Sequence, residues 1–477
     1  MYKFKTEPYE HQKDALKKCY DKEAFAIFAE MGTGKTKIAL DNACILYNRG
    51  KIDRLLVVAP KGAYMTWFDQ EIPTHVPDYI EKNVVIWKQS TSQKYMSELR
   101  SMMNNNFELK IMIMNVEAFS SKRGVDFAKL FLIGRSMMIV DESTTIKNPK
   151  AKRTKAILEL SNETHYRRIL TGSPVTQSPL DLWAQMDFLD PYILGQSSYY
   201  AFRTRYAVVI EATAAGGTHR YQKIVKFKNL KELGKTVSPH SYRILKKECL
   251  DLPDKVYSKR FVELSDEQKK AYAEMKANAM SILKGESMTA VNVLTQLIRL
   301  HQITCGHMKT DSHQVIDLKN NRLTELMQIL DETSGKAIIW ANYIHDIEAI
   351  EKAVKKEFGN DSCCTYYGAT AAEDRQKCVN NFQDPDSPVR FFIGNTQTGG
   401  YGLTLTAAST VIYYSNNYDL EKRIQSEDRA HRIGQTNKVL YIDLIAEGTV
   451  DEKIIKSLRN KVNIAKEISG EELITWI

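Results

Sequence analysis

Residues 29–36 read AEMGTGKT and lie between the apolar run AFAIF (24–28) and the stretch KIALDNACILYNRG (37–50). A loop that binds phosphate needs glycines where side chains would block backbone N–H groups. It also needs a lysine for the β and γ oxygens and a hydroxyl for Mg²⁺. The candidate residues are Gly32, Thr33, Gly34, Lys35 and Thr36. The stretch therefore predicts an ATP-binding loop between a strand and a helix, although the full pattern has glycine in place of Ala29. A chance glycine-rich turn is the alternative.

A pair of carboxylates follows a second apolar run, in MMIVDES (137–143). Four apolar residues bring Asp141 and Glu142 to the end of a strand, where ligands bind in open α/β sheets. Asp141, together with Thr36, is the predicted ligand set for Mg²⁺, and Glu142 is predicted to orient and deprotonate an attacking water. An acidic N-cap of the next helix is the alternative interpretation.

Short apolar runs alternate with amphipathic segments in both halves of the chain, which predicts an α/β protein with two doubly wound parallel sheets. The runs of the first half are 24–30, 54–60, 83–87, 110–115, 137–142 and 167–172, and those of the second are 336–342, 363–369, 389–395, 410–415 and 439–446. Strand signals are sparse between about 190 and 320. Capping boxes are predicted at Ser265 with Gln268, Thr370 with Glu373 and Thr449 with Glu452.

The 477 residues contain 67 Lys and Arg against 58 Asp and Glu, a formal charge of +9 that permits a polyanionic partner without requiring one. No run of eighteen apolar residues and no apolar N-terminal region is present, so we expect an intracellular protein with no membrane partner. The compartment, cytoplasm, nucleoid or nucleus, stays open. The seven cysteines show no C-x-x-C spacing and predict no disulfide framework.

His301, Cys305 and His307 lie close together in the sequence. A metal site is one interpretation, but no second ligand pair of recognisable spacing accompanies them. A packed helix end is therefore the favoured interpretation.

The motifs follow one another in a fixed order: AEMGTGKT (29–36), LLVVAPKGAYMTWFDQEI (55–72), IMIMNVEAF (111–119), IVDESTTIKN (139–148) and ILTGSPVTQSPLDLWAQMDFLDP (169–191). With these, residues 250–272, 297–307 and 396–454 resemble the Swi/Snf family of DNA-dependent ATPases within helicase superfamily two. The resemblance covers nearly the whole chain, and SEDRAHRIGQ (426–435) is its most specific part. It implies two RecA-like lobes with helical insertions between and on them, in a minimal motor form.

The resemblance also implies that ATP lies between the lobes. Arg429 and Arg432 are three residues apart on a predicted helix and would act as arginine fingers. A solvated basic helix face is the alternative. Gln12 in EPYEHQ matches the family's adenine-reading glutamine, and Gly402 is included among the nucleotide-binding residues.

Further residues match positions at which the family holds a DNA phosphate backbone, without reading sequence. They are Lys61, Thr171, Gly172, Ser173, Thr398 and Gly399. For Thr171 to Ser173, a helix N-cap turn is the alternative interpretation. The chain departs from the family pattern at Ser143 and Thr144, at Thr404 and at residues 418–420.

The predicted organisation has an N-terminal ATP-binding lobe (1–250, with a helical insertion from about 190), a linker and helical protrusion (251–320) and a C-terminal lobe (321–477). The favoured function is an ATP-dependent translocase that moves along double-stranded DNA and remodels DNA or protein–DNA complexes. A strand-unwinding helicase, or an RNA-directed relative, is the second hypothesis. A nucleotide-switched DNA-binding clamp is the third.

Overall fold

The structure is a computed structural model that describes residues 2–61, 63–104, 108–213, 220–284, 290–309, 314–398 and 403–469. These fall into two compact units, the first built mainly from 2–207 and 227–251 and the second mainly from 252–463. Each unit is centred on one parallel sheet. Within the described residues, we find no helix with the length and apolar character needed to cross a bilayer.

The strands are β1 (Ala24–Ala29), β2 (Arg54–Ala59), β3 (Lys82–Ile86), β4 (Leu109–Asn115), β5 (Ser136–Asp141), β6 (Tyr166–Thr171), β7 (Ala207–Thr213), β8 (Arg220–Phe227), β9 (Ser241–Ile244), β10 (Lys255–Val262), β11 (His307–Lys309), β12 (Val315–Asp317), β13 (Lys336–Trp340), β14 (Cys363–Tyr366), β15 (Phe391–Gly394), β16 (Ala408–Tyr413) and β17 (Val439–Ala446).

The α-helices are α1 (Glu10–Cys19), α2 (Lys35–Asn48), α3 (Tyr64–Thr66), α4 (Ile72–His75), α5 (Gln93–Asn104), α6 (Lys122–Leu132), α7 (Lys152–Ser161), α8 (Leu182–Leu189), α9 (Tyr199–Tyr206), α10 (Leu230–Val237), α11 (Lys246–Cys249), α12 (Asp266–Lys284), α13 (Ala290–Thr304), α14 (Asn321–Glu332), α15 (Ile344–Phe358), α16 (Ala372–Gln383), α17 (Leu420–Glu427) and α18 (Val450–Ser469).

The first sheet has the order β3-β4-β2-β5-β6-β1-β9, and all of its neighbours pair in parallel. Successive residues of each central strand enter two different apolar clusters, for example Phe25 and Ile27 in one and Ala26 and Phe28 in the other. The sheet is therefore covered by helices on both faces, as the near-continuous apolar runs predict. Its carboxyl edge carries the residues after β1, β2, β5 and β6.

The second sheet has the order β10-β17-β16-β13-β15-β14, again with parallel neighbours. Ala337 and Ile339 of β13 belong to one buried cluster, and Ile338 and Trp340 belong to another. The α/β class and the two doubly wound sheets are thus confirmed.

The region between about 190 and 320 contains more strand than the sequence predicts. Strands β7 and β8 pair with each other, and β11 and β12 form an antiparallel hairpin. Residues 211–213 and 220 of the predicted surface loop 211–220 belong to strands, and 214–219 lie outside the described residues.

Two further strands lie at sheet edges in this region. Strand β9 extends the first sheet, and β10, within the predicted linker, extends the second by pairing along its length with β17. Their sequences, SYRI in β9 and KVYSKRFV in β10, mix polar and apolar residues, so neither has the continuous apolar run by which the other strands are predicted.

One disulfide joins Cys364 in β14 to Cys378 in α16, with their Cα atoms 5.6 Å apart. The sequence predicts no disulfide framework and does not single out this pair. A separation of 14 residues matches no recognisable spacing, and only the packing of α16 against β14 brings the two sulfur atoms together.

Candidate functional site

The glycine-rich loop joins β1 to α2 at the carboxyl edge of the first sheet. Gly32 and Gly34 have φ values of 85° and 83°, in the left-handed region that favours glycine. Gly34 is the N-cap of α2, and Lys35 and Thr36 are its first residues. Thr33 is buried and donates its hydroxyl to the carbonyl of Glu30 at 2.8 Å. The strand, tight turn and helix N-terminus that a phosphate site requires therefore occur in this order.

Two side chains of α1 hold this loop from one side. The amide of Gln12, only 3% exposed, donates to the carbonyl of Thr33 at 3.2 Å, and His11 Nε2 lies 2.9 Å from the same oxygen. A Cβ atom at Gly34 would lie 2.1 Å from Gln12 Nε2. The structure therefore places Gln12 against the loop, and Gly34 is required by space as well as by its backbone conformation.

Asp141 ends β5 and is buried, at 5% exposure. Its Oδ2 accepts a hydrogen bond of 2.8 Å from the indole N–H of Trp67, and its Oδ1 accepts from the backbone N–H of Glu142 at 2.9 Å. Burial raises the pKa of Asp141 to about 6, the neighbouring Glu142 acts in the same direction, and Lys35 opposes both. The carboxyl group is fixed in orientation and is sensitive to the charge placed beside it.

Glu142 is in a left-handed backbone conformation, with φ 45° and ψ 61°. Within the described part of the chain, Asn229 is the one other non-glycine residue with positive φ. Such a conformation costs on the order of 1–3 kcal/mol and is concentrated at functional sites. It directs the Glu142 carboxylate to Lys35, whose Nζ lies 3.1 Å from Oε1. The predicted phosphate-binding lysine and the predicted base are therefore in direct contact.

The segment Thr171 to Ser173 follows β6, the strand between β1 and β5. Thr171 is buried and its hydroxyl accepts from the backbone N–H of Ser173 at 3.1 Å. Gly172 lies beside the start of the glycine-rich loop, because a Cβ there would be 3.4 Å from the carbonyl of Ala29. Arg243 of β9 donates to the Gly172 carbonyl at 2.7 Å.

Gln185 of α8 connects the acidic pair to the segment after β6. Its Oε1 accepts from the hydroxyl of Ser143 at 2.7 Å, while its Nε2 donates to the carbonyls of Pro174 and Asp181, both at 2.8 Å. Gln185 is fully buried. Ser143, one of the departures from the family pattern, is thus tied through Gln185 to the turn that carries Ser173.

In the second unit, Arg429 and Arg432 donate to one carbonyl, that of Leu403, at 3.2 and 3.1 Å. The prediction that both stand on a helix is wrong, since α17 ends at Glu427 and residues 428–434 form turns. Both guanidinium groups nevertheless contact the same carbonyl, because the turn folds back over Leu403. Arg429 is 1% exposed, whereas Arg432 is partly exposed.

Residues 11–309, more than half of the chain, match the family described as the SNF2-related domain. The chain belongs to the SNF2-related family. Residues 318–434 match the helicase conserved C-terminal domain, which agrees with the resemblance that the motifs imply.

Relatives of this SNF2-related chain are similar over most of its length. It is 27% identical over 457 residues to a SWI/SNF chromatin-remodeling complex subunit of Schizosaccharomyces pombe, which covers 91% of this chain and 26% of that one. It is 29% identical over 365 residues to a putative ATP-dependent helicase/translocase of Bacillus subtilis, covering 74% of this chain and 37% of that one. The chain therefore spans less than half the length of these relatives.

A solved structure, the SWI2/SNF2 ATPase core of Sulfolobus solfataricus in complex with dsDNA, is 24% identical. The comparison covers 98% of this chain and 95% of that one, with a TM-score of 0.44.

The most specific SNF2-related segment, 426–435, is held by buried polar contacts. Glu427 is 1% exposed and accepts from Lys255 Nζ at 3.2 Å and from the Tyr257 hydroxyl at 2.8 Å. Gln435 donates to the carbonyls of Thr406 and Ala408 at 3.1 and 2.9 Å. Strand β10, which supplies Lys255 and Tyr257, therefore supports the turn that carries the two arginines.

The remaining predicted residues lie at strand ends or outside the described residues. Lys61 is exposed two residues beyond β2, and Thr398 follows β15, its N–H bonded to the carbonyl of Asn395 at 3.2 Å. Gly399 and Gly402 lie outside the described residues.

Proposed function

We propose that this SNF2-related chain is a DNA-dependent ATPase that couples hydrolysis to movement along double-stranded DNA, remodelling DNA or protein–DNA complexes. The observation that carries the proposal is the contact between Lys35 and Glu142, 3.1 Å apart at the carboxyl edge of the first sheet. A phosphate-binding cation and a carboxylate base held together meet the chemical needs of hydrolysis.

In this proposal, Lys35 leaves its ion pair with Glu142 when ATP binds. The β and γ oxygens of ATP attract the ammonium group, and this releases the Glu142 carboxylate to accept a proton from the attacking water. Because the side chains of Lys35 and Glu142 are about 90% buried, bulk water screens the attraction between their charges only a little. Nucleotide binding and activation of the base are thus coupled through one ion pair.

The side chains of Asp141 and Thr36 are suited to bind a Mg²⁺ ion. Asp141 offers a buried carboxylate whose pKa is raised by desolvation and by Glu142, so a cation beside it would favour its ionised form. The hydroxyl of Thr36 offers a second oxygen. Bound Mg²⁺ would offset the negative charge of the β and γ oxygens.

Gln12 is proposed to bind the adenine edge, and Arg429 and Arg432 are proposed to act on the γ-phosphate as arginine fingers. Fingers of this kind increase turnover roughly 10³- to 10⁵-fold in other nucleotide hydrolases. Both arginines donate to the Leu403 carbonyl in this structure, and a phosphate oxygen is a stronger acceptor than that carbonyl.

For the DNA, we propose contacts to phosphates only. The residues are Lys61, Thr171, Gly172, Ser173, Thr398 and Gly399. Gly172 has no side chain that would shield its backbone, and the Thr171 hydroxyl accepts from the Ser173 N–H and fixes the turn that presents Ser173. Such contacts fix the position of a protein on DNA without reading sequence.

Steady-state ATP turnover tests this function, measured without nucleic acid and with single-stranded, duplex and forked DNA and with RNA. We expect duplex DNA to stimulate turnover more than single strands or RNA. Stimulation by RNA alone, or by forked DNA far above plain duplex, would favour the helicase hypothesis instead. ATP turnover that is the same with and without every nucleic acid would favour the clamp.

A further inference from the structure

A group of three metal-ligating side chains lies in the second unit and includes none of the residues assigned to ATP or DNA. His307 begins β11, and His345 and Asp346 lie in the first turn of α15. One ligand atom from each residue lies within 4.8 Å of the others. The group includes one member of the sequence cluster at 301–307 and draws its other two from residues nearly forty positions further along.

The other two members of that sequence cluster take no part. His301 Nδ1 lies 2.9 Å from the Tyr343 hydroxyl, and His301 Nε2 lies 3.7 Å from Asp451 Oδ1. Cys305 is buried and does not belong to the group of ligand atoms within 4.8 Å of one another. The packed-helix-end interpretation therefore holds for His301 and Cys305 and leaves His307 unexplained.

Two buried polar atoms point to a ligand between these side chains. His307 and Asp346 are each 2% exposed, yet His307 Nδ1 and Asp346 Oδ2 make no hydrogen bond within the described residues. His307 Nδ1 does approach Asp346 Oδ1 at 3.0 Å. Buried polar groups almost always have a partner, and leaving one without costs about 1–3 kcal/mol, more if it is charged.

The local geometry supplies what a metal site needs beyond its ligands. His345 Nε2 lies 2.8 Å from Asp317 Oδ1, so a carboxylate orients this imidazole. Asp317 is the strand partner of His307 in the β11–β12 hairpin. Carboxylates that hold a ligating histidine in this way fix its tautomer and raise its basicity. His345 is about one-third exposed, which leaves a route for an ion from solvent.

We propose that His307, His345 and Asp346 bind a divalent transition-metal ion of the zinc class, with Asp317 as the residue that orients His345. Two imidazole nitrogens and one carboxylate are donors that Zn²⁺ takes readily, whereas Mg²⁺ prefers oxygen ligands. The ion would fasten the β11–β12 hairpin to the start of α15. The alternative is a buried His307–Asp346 ion pair, which binds no metal.

Zinc content tests the proposal on the full-length chain, stripped with a chelator and then dialysed against micromolar Zn²⁺. We expect about one zinc per chain in the wild type, bound at least 100-fold more weakly by His345→Ala, a variant that alters a partly exposed side chain. Asp317→Asn should weaken binding about 10-fold. His165→Ala, which changes an exposed histidine of the first unit, is the matched control and should bind as the wild type does.

A second measurement separates loss of the ligand from misfolding. Far-UV circular dichroism and thermal midpoint without metal should be alike in wild type and His345→Ala, and only the wild type should gain thermal stability with added Zn²⁺. If the wild type binds no stoichiometric zinc, or if His345→Ala binds it equally, the assignment is wrong. Equal competition by millimolar Mg²⁺ would likewise contradict a site with nitrogen ligands.

Discussion

Glu142 combines a strained backbone with a buried ion pair. It contacts Lys35, which the proposal assigns to phosphate, and follows Asp141, which the proposal assigns to the metal. Its φ of 45° lies in the left-handed region, which is unfavourable for glutamate. The charge of its carboxylate is balanced by Lys35 at 3.1 Å. Changing the carboxylate alone, while keeping its shape, therefore isolates its chemical role.

We predict that Glu142→Gln binds ATP with little change and hydrolyses it about 10²- to 10⁴-fold more slowly, because the attacking water loses its base. Binding is measured with a fluorescent ATP analogue, and turnover by phosphate release. Glu163→Gln, which makes the same change at an exposed carboxylate of the same unit, should leave both values unchanged. Turnover of Glu142→Gln at the wild-type rate would show that another group is the base.

The indole N–H of Trp67 reports directly on Asp141, since the two are hydrogen-bonded at 2.8 Å. We predict that its ¹⁵N–¹H resonance titrates with a midpoint of about 6 in the metal-free protein. Trp67→Phe identifies the resonance among the five tryptophans, and Asp141→Asn should abolish the titration. A resonance that does not move between pH 5 and 7 would contradict the raised pKa.

The raised pKa of Asp141 also determines how this residue changes the stability of the folded protein with pH. The folded protein holds the Asp141 proton more tightly than the unfolded chain does, where the pKa has its usual value of 3.8. Asp141 therefore favours the folded state below pH 3.8, and this contribution is lost as the pH rises to about 6.

The sequence predicts Asp141 and Glu142 because they come at the end of an apolar run, and a position at a strand end is a local property. The residues that position them have no such signal. Trp67 lies 74 residues from Asp141 in the chain, and Gln185 lies 42 residues from Ser143. His11 resembles any polar helix residue until the fold brings it to Thr33. Partners distant in sequence are therefore what the structure adds.

The junction between the glycine-rich loop and α2 depends on Gly34. Alanine there would need a positive φ and would place its Cβ 2.1 Å from the Gln12 amide. Gly50, after the other end of α2, has φ 68°, but a Cβ there would meet only Arg135 NH1, at 3.9 Å. The two glycines thus share a backbone requirement and differ in available space.

We predict that Gly50→Ala lowers the stability of the protein by about 1–2 kcal/mol, the cost of a left-handed alanine. Gly34→Ala should cost more and should also weaken ATP binding, because Gln12 must move. Thermal unfolding and nucleotide titration measure the two effects. If Gly34→Ala and Gly50→Ala lose equal stability and both bind ATP normally, Gln12 does not pack against the loop as described.

The sequence predicts central strands well and helix starts unevenly. All eleven apolar runs are strands, and the capping box of Ser265 and Gln268 is present, with bonds of 3.0 and 3.2 Å. The box predicted at Thr370 is wrong. Thr370 accepts from the Tyr367 N–H, and α16 begins at Ala372. A capping residue is chosen by the path of the preceding chain, which a four-residue pattern does not contain.

At Thr449 the predicted contacts are divided between neighbours. Thr449 accepts from the Asp451 N–H at 3.2 Å, while Glu452 accepts from Gly448 at 3.0 Å. The start of α18 is thus predicted correctly and its bonds only in part.

Both units carry residues that the proposed function assigns to one reaction. The first unit has Lys35, Asp141 and Glu142, and the second has Arg429 and Arg432 on the turn after α17. In the proposed function, hydrolysis uses residues of both units, so we expect substitutions in the second unit to slow ATP turnover.

We predict that Arg429→Ala and Arg432→Ala each reduce ATP turnover by orders of magnitude, since the γ-phosphate loses a cation. ATP affinity should change much less. Arg432→Ala is the cleaner variant because Arg429 is buried and its loss also leaves a cavity. Lys438→Ala, which removes an exposed cation just beyond this turn, is the control. Wild-type turnover in Arg432→Ala would remove this residue from the mechanism.

The proposed function is movement along duplex DNA without separation of its strands. Phosphate-only contacts make affinity nearly independent of sequence, and they make it fall with salt at a logarithmic slope of roughly −0.9 per phosphate neutralised. A stationary clamp would share both properties. Binding alone therefore does not distinguish movement from a switch, and a track that records passage of the protein is needed.

Displacement of a labelled third strand from a DNA triplex is the most direct test, with release of a strand from a partial duplex measured in parallel and Glu142→Gln as the inactive control. We predict that the wild type removes the third strand only with ATP and leaves the partial duplex paired, and that Glu142→Gln releases neither strand. Efficient ATP-dependent release of the duplex strand, or ATP hydrolysis with no displacement of the third strand, would contradict translocation along double-stranded DNA.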